Sequence, residues 1–299
     1  MWLDPLKNTK MSEHKPFFSI ILPTYNRGYI VDEAISSVLE QTFTDWELLI
    51  IDDGSTDNTG EVVTRFTGDN RIKYINATRQ YPAAARNKGI AQSNGNYICF
   101  LDSDDLFLPG HLQQFYDFIH TAKTGFYFLR SGMFIESDGK RDQTRLYSDV
   151  YQHPVLFFLN AMTGIISLCV NRQIFETIRF NPDTKLFWED TELECLIAFN
   201  FDLYQLPAPT CVYRQQPIRG KKSKKDLVYG LNEHLKYVRA FFSAYAAKYP
   251  TFLSTRLKHR KTGDIYVFHA SLFKKNGYSL KATQYWFKGQ FIRFISSFL

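Results

Sequence analysis

The first hundred residues alternate between short apolar runs and amphipathic stretches. Phe17 to Leu22 is an apolar run with β-branched members, and Ile30, Ala34, Ile35, Val38 and Leu39 then recur at helical spacing. Trp46 to Ile51 reads as a second strand, followed by a helix running to about Phe66 that Thr56 or Asp57 can cap. Ile72 to Ile75 predicts a third strand, Pro82 to Gln92 a helix, and Tyr97 to Leu101 a fourth strand. Strands alternating with helices imply right-handed crossovers and a mostly parallel sheet. Such sheets bind ligands at the carboxyl ends of their strands. Three polar clusters follow strand ends here: Pro23-Thr24-Tyr25-Asn26-Arg27, Asp52-Asp53-Gly54-Ser55 and Asp102-Ser103-Asp104-Asp105. Three clusters at one edge of one sheet make a site.

The last cluster carries the sharpest chemistry. Side chains alternate along a strand, so Asp102 and Asp104 point the same way. Like charges that close repel one another unless a cation sits between them. Hard divalent metals such as Mg2+ or Mn2+ take oxygen ligands, often one or two carboxylates plus the oxygens of a diphosphate. Taken alone, the run is equally well read as an acidic turn after a strand. A dinucleotide fold is disfavoured, because the first strand-to-helix turn holds only Gly28 and no G-x-G-x-x-G. No G-x-x-x-x-G-K-[ST] run is present either. Acidic strand ends repel a bare pyrophosphate and suit one carried with a metal ion.

The segments SIILPTYNR, ELLIIDDGSTDNT, AAARNKGI and GNYICFLDSDD, in this order and spacing, resemble the nucleotide-sugar half of the family 2 inverting glycosyltransferases, which have the GT-A fold. The resemblance is close over residues 17–110 and looser to about 215, through Leu186-Phe187-Trp188-Glu189-Asp190-Thr191-Glu192-Leu193, which is similar to the family's acidic ED motif at a helix start. It implies an α/β fold, a mostly parallel sheet flanked by helices with a Rossmann-like nucleotide half. It also implies metal-dependent inverting transfer from a UDP- or GDP-type sugar to an acceptor hydroxyl, with Mg2+ or Mn2+ as cofactor. Pro23, Thr24 and Tyr25 would line base and ribose, Asp53 would accept a hydrogen bond from the base, and Arg86 would sit near base or diphosphate as a planar donor. Arg27 and Ser103 would complete the nucleotide-sugar contacts. Asp102 would touch ribose or metal, Asp104 would be the main metal ligand, and Asp105 stands second in rank. Asp190 would be the general base, with Glu189 or Glu192 next in line, and Trp188 and Glu189 would face the acceptor. The plain structural roles are a turn for Asp52 or Asp53, a cap for Asp57, a solvated Arg86, a dipole-favoured acid at Asp190 and a core Trp188. Many relatives carry Tyr-Arg-x-His after the acidic helix. This chain has Tyr213-Arg214-Gln215-Gln216, so Gln216 replaces the histidine, and Arg219, Lys221 or Lys222 are the candidates to neutralise the diphosphate instead.

Charge is distributed unevenly. Residues 219–299 hold 17 Lys and Arg against three Asp and Glu, a net of +14, whereas the whole chain is +6 and the rest therefore near −8. Such a basic block suits a polyanionic surface. Phe287, Phe291, Phe294, Ile295 and Phe298 share one helical face, with Lys281 and Lys288 on another. A helix of this kind can lie in an anionic membrane interface, or pack on the catalytic domain with its lysines solvated. No nucleic-acid-binding motif is visible. Val155 to Val170 is apolar but too short to span a bilayer, and the first 14 residues lack the apolar core of a signal peptide. Four isolated cysteines fit a reducing cytosol. The expected organisation is a disordered segment 1–14, a glycosyltransferase domain 15–218 (nucleotide-sugar half 15–105, acceptor half 106–218) and a basic amphipathic helical extension 219–299. The expected role is cell-envelope or surface glycan synthesis on a glycan or lipid-linked acceptor, from a cytoplasmic position peripheral on the inner membrane face. The alternatives are a non-catalytic sugar-nucleotide-binding or membrane-scaffolding protein of this fold, or a nucleotidyltransferase.

Overall fold

A computed structural model describes residues 15–121, 128–137, 139–143, 158, 164–182, 189–215 and 223–298. Segment 1–14, Trp188, Gln216, Arg219, Lys221 and Lys222 lie outside the described residues.

The apolar runs of the first hundred residues form four parallel strands, β1 (Phe18–Thr24), β2 (Trp46–Asp52), β3 (Ile72–Asn76) and β4 (Tyr97–Phe100). Every residue of β1, β2 and β4 is buried, as expected of strands covered by helices on both faces. The covering helices α1 (Val31–Leu39), α2 (Thr59–Thr64) and α3 (Tyr81–Gln92) fill the crossovers. The buried positions of α1 are Val31, Ala34, Ile35, Ser37 and Val38, one stripe at helical spacing, while Asp32 and Glu33 complement its dipole. The N-cap of α2 is Asn58, without a side-chain cap bond, rather than Thr56 or Asp57; Asp57 one residue earlier accepts from the Thr59 backbone N–H at 3.0 Å and from Gly28 N–H at 3.2 Å, tying the turn after β2 to the turn after β1.

Five further strands extend the sheet: β5 (Leu106–Phe107), β6 (Phe128–Ser137), β7 (Lys140–Gln143), β8 (Leu168–Asn171) and β9 (Leu203–Arg214). The order is β3-β2-β1-β4-β8-β6-β9-β5, with β7 paired to β6. β8 runs antiparallel to β4 and β6, and β9 runs parallel to β6 and antiparallel to β5. Because β5 directly follows the DSDD turn, its pairing with β9 brings Arg214 back to that turn. α4 (His111–Thr121) and α5 (Glu189–Ala198) flank this half.

Three long helices close the described chain: α6 (Lys224–Tyr245), α7 (Thr255–Lys275) and α8 (Ser279–Ser296). Ser223 and Asp226 form a reciprocal capping box at the start of α6. Leu231, Leu235, Val238, Phe241 and Phe242 of α6 and Leu257, Ile265 and Tyr266 of α7 belong to the same apolar core as the sheet. α8 joins α7 through small residues and keeps its aromatic face outside. No helix among the described residues is long and apolar enough to cross a membrane.

Candidate active site at the carboxyl edge of the sheet

The ends of β1, β2 and β4 and the start of α3 enclose a cleft of about 290 Å3 lined by Pro23, Thr24, Tyr25, Arg27, Asp53, Arg79, Pro82, Ala85, Arg86, Asp102, Ser103 and Asp104. Pro23, Thr24, Tyr25, Arg27, Asp53, Arg86, Asp102, Ser103 and Asp104, expected at the site from sequence, therefore share one space. Parallel register explains the convergence, since Thr24 stands opposite Asp52 and Ile21 opposite Phe100. Each strand then ends at the same level.

Local chemistry shapes the rim. Gly54 has φ +81°, and a Cβ there would stand 3.3 Å from the Ala77 carbonyl oxygen, so the turn after β2 favours glycine on both counts. Asp52 accepts from Ser55 N–H at 2.8 Å and from the Tyr74 hydroxyl at 2.6 Å, a turn-forming role. Asp53 is buried and holds the start of α3, accepting from Gln80 N–H at 2.7 Å, Tyr81 N–H at 2.8 Å and Arg79 Nη1 at 2.9 Å. Arg79 in turn lies 3.5 Å above the Tyr25 ring and 4.8 Å from that of Tyr81. Tyr81 occupies the left-handed region at φ 72°, an uncommon state for a bulky residue that its bond to Asp53 helps to hold.

Arg86 joins the cleft to the acidic helix. It is buried; Nη2 donates to Asp102 Oδ1 at 2.6 Å and Nη1 to Glu189 Oε1 at 3.0 Å. The two carboxylates sustain its charge against burial. The next residue of α3, Asn87, exchanges a reciprocal pair of hydrogen bonds with the Phe180 backbone, anchoring the chain upstream of α5. Asp190 is in the first turn of α5 and accepts from Thr191 N–H at 2.7 Å. Burial and the adjacent Glu189 push its carboxyl up to about 6, against the pull of Arg86.

The DSDD turn has divided roles. Asp105 is buried, accepts from Arg214 N–H at 2.8 Å, and donates its own N–H to the Asp102 carbonyl at 3.0 Å. Burial, and then the charge of Asp102, raise its pKa. Arg214 also donates from Nε to the Asp104 carbonyl at 2.5 Å and pairs with Glu33. Asp104 keeps a partly accessible carboxylate, 3.5 Å from Arg27 Nη2, and burial and Asp102 raise its pKa as well. The charge of Asp102 thus disfavours that of Asp104 across the cleft, and a divalent cation would relieve that. Among the described residues no cluster of three or more His, Cys, Asp or Glu could hold a metal unaided. Two hard oxygen donors facing a cleft fit Mg2+ or Mn2+ shared with a diphosphate, the mode in which protein supplies few ligands and phosphate the rest. Thr24 Oγ1 and Arg86 Nε, both buried, have no hydrogen-bond partner among the described residues and leave polar capacity at the same place.

Sequence reasoning missed Arg79 and the structural work of Arg214. Arg79 belongs to no pattern and Arg214 only to the Tyr-Arg pair after the acidic helix, and each acts through partners that only the folded chain supplies. Arg79 follows β3 in an Ala-Thr-Arg-Gln run without a signal of its own, and nothing in the Tyr-Arg-Gln-Gln run marks Arg214 as a partner of the DSDD turn.

Comparison with known proteins bears on family and fold. A family model described as glycosyl transferase family 2 matches residues 19–187. An uncharacterized glycosyltransferase of Rickettsia felis is 50% identical over 110 residues, 36% of this chain and 18% of that protein. This chain therefore spans less than a fifth of that relative's length. The E. coli protein named UDP-Glc:alpha-D-GlcNAc-diphosphoundecaprenol beta-1,3-glucosyltransferase WfgD is 45% identical over 98 residues, 32% of this chain and 38% of that one. Among solved structures, S. aureus TarS 1-349 with UDP-GlcNAc superposes with a TM-score of 0.61 at 19% identity, covering 91% of this chain and 79% of that one. The mannosyltransferase PcManGT from Pyrobaculum calidifontis, with GDP-Man and Mn2+, gives 0.61 at 18% identity, covering 91% and 74%. At such identities the structures establish the shared GT-A fold.

Proposed function

The chain belongs to glycosyl transferase family 2, and on that premise we propose that it moves a sugar from a UDP- or GDP-type donor to an acceptor hydroxyl with inversion at the anomeric carbon. The observation that carries this reading is Arg86, whose guanidinium ties Asp102 of the donor cleft to Glu189, the neighbour of Asp190. Donor and acceptor chemistry then share one pocket edge.

Pro23, Thr24 and Tyr25 take the nucleoside, and Arg27 and Arg86 lie where phosphate charge accumulates. Asp104, with Asp102, would hold Mg2+ or Mn2+, which when bound supplies Lewis-acid stabilisation of the leaving diphosphate. Asp190 takes the proton from the acceptor hydroxyl as its oxygen bonds to the anomeric carbon and the bond from that carbon to the diphosphate oxygen breaks. A single displacement inverts the centre, with no covalent sugar–enzyme species. The raised affinity of Asp190 for a proton suits it to this task.

Lipid-linked diphosphate acceptors appear in the names of relatives from E. coli and Campylobacter jejuni. A lipid-linked acceptor in cell-envelope glycan synthesis, reached from the cytoplasmic face, is the matching proposal here. Calorimetric titration of the full chain with UDP and with GDP, with Mn2+ and with chelator, tests the donor side. Mn2+-dependent binding that Asp104→Ala loses by about tenfold or more, with the melting curve retained, is expected. Equal affinity in the variant or under chelator would contradict it.

A further inference from the structure

α8 resolves a question that its sequence leaves open. At about 100° per residue, Leu280, Phe287, Phe291, Phe294 and Phe298 fall within about 60° of one another, and Ala282, Gly289 and Ser296 lie opposite. The buried residues of α8 are those three small ones. A Cβ on Gly289 would stand 2.7 Å from the Gly263 carbonyl oxygen, so the α7 and α8 backbones touch at a glycine pair. Arg293 locks the crossing through Asp264 at 2.6 Å. The helix is therefore packed, but through the face away from its aromatics. Those stay in solvent: Leu280 is 89% exposed, Phe287 62%, Phe291 64%, Phe294 62% and Phe298 74%. A continuous apolar stripe of this size marks an interaction surface.

We propose that this outward face of α8 is a docking surface for an anionic lipid bilayer. Charge identifies the occupant. α8 carries Lys281, Lys288 and Arg293 and no acidic residue, and α7 beneath it carries six Lys and Arg against Asp264 alone. Two copies meeting face to face would bring these cations together, whereas an anionic surface complements them. Lys281 and Lys288 fall about 80–100° round the helix from the stripe, their ammonium groups 5.3 and 4.5 Å from the Tyr285 and Tyr266 ring centroids, so both cations border one side of the apolar face. Trp286, half exposed, forms the rim of an apolar groove of about 430 Å3 between α7 and α8. An aromatic with one polar N–H suits the headgroup level of a membrane. Phenylalanines enter the acyl boundary, the lysines meet headgroup phosphate, and the rigid α7–α8 pair presents both at once.

The test is vesicle flotation of the full chain, without donor or acceptor, so that its outcome is separate from that of the transferase reading. The wild type floats with phosphatidylglycerol-containing vesicles, less with pure phosphatidylcholine, and loses binding at about 0.5 M salt. Phe287→Glu with Phe291→Glu lowers the bound-to-free ratio about tenfold or more while the melting temperature holds, because both side chains are already solvated. Wild-type protein that stays at the bottom of the gradient with anionic vesicles at low salt overturns the proposal, whatever the variant does. So does a double variant that floats as well as the wild type. A wild-type dimer in lipid-free solution that the double variant converts to monomer assigns the face to self-association instead and equally overturns it.

Discussion

Arg86 has three demands on it at once: burial, two carboxylate partners and a fixed plane. A guanidinium meets them because its fork reaches Asp102 and Glu189 from one position, which an ammonium cannot. Asp190, beside Glu189, is raised into a useful range by the same burial that makes its charge costly. Its folded pKa of about 6 lies above the ordinary carboxylate value, so it is half protonated at that pH and progressively unable to act as the proposed base below it. The free-enzyme profile of kcat/KM should therefore rise with pH through a midpoint near 6 and level off above it. An activity that stays level from pH 5 to 8, or a limb that persists in Asp190→Asn, would remove Asp190 from that role.

At the scale of elements, α5 is placed from both ends. Arg86 holds its first turn, and Tyr245, in the last turn of α6, donates to Glu192 Oε1 at 2.7 Å. Glu192 is buried and its other carboxylate oxygen has no partner among the described residues, so the tyrosine bond matters to it. Phe199, just beyond α5, stacks on Tyr249 at 4.0 Å. The basic helices thus support the helix that bears Asp190 and share its core. Tyr245→Phe should lower unfolding stability by about 1–2 kcal/mol in a denaturant melt. It should also reduce kcat more than it weakens UDP binding, because the donor cleft is built from other elements. Loss of UDP affinity alone, with kcat retained, would show that α6 does not position α5.

At the scale of the molecule, the parallel half was readable because its signals are local. β1, β2, β3 and β4 each follow from a short, mainly apolar run, and the three polar clusters after β1, β2 and β4 meet by register alone. The other half depends on pairings between distant segments. β9 reaches the DSDD turn only because β5 receives it, and the Arg214–Asp104 contact joins residues 110 apart in sequence. Arg79 is invisible for the same reason: its partners are Asp53 and the Tyr25 face, not a spacing. The amphipathic face of α8 was legible by periodicity, whereas its packing face, three small residues, carries no hydropathy signal.

On the proposed reading the donor cleft and α5 form a single transfer site with Asp190 as its base. Asp190→Asn tests this most directly, because it keeps the size and hydrogen-bonding of the side chain and removes only its capacity to take a proton. Release of nucleoside diphosphate from UDP-glucose, UDP-GlcNAc and GDP-mannose in the presence of Mn2+ is measured beside calorimetric affinity for the same donors. Turnover of whichever donor the wild type uses should fall by about 10² or more while its affinity stays within a few-fold. Near-normal turnover in the variant would contradict it.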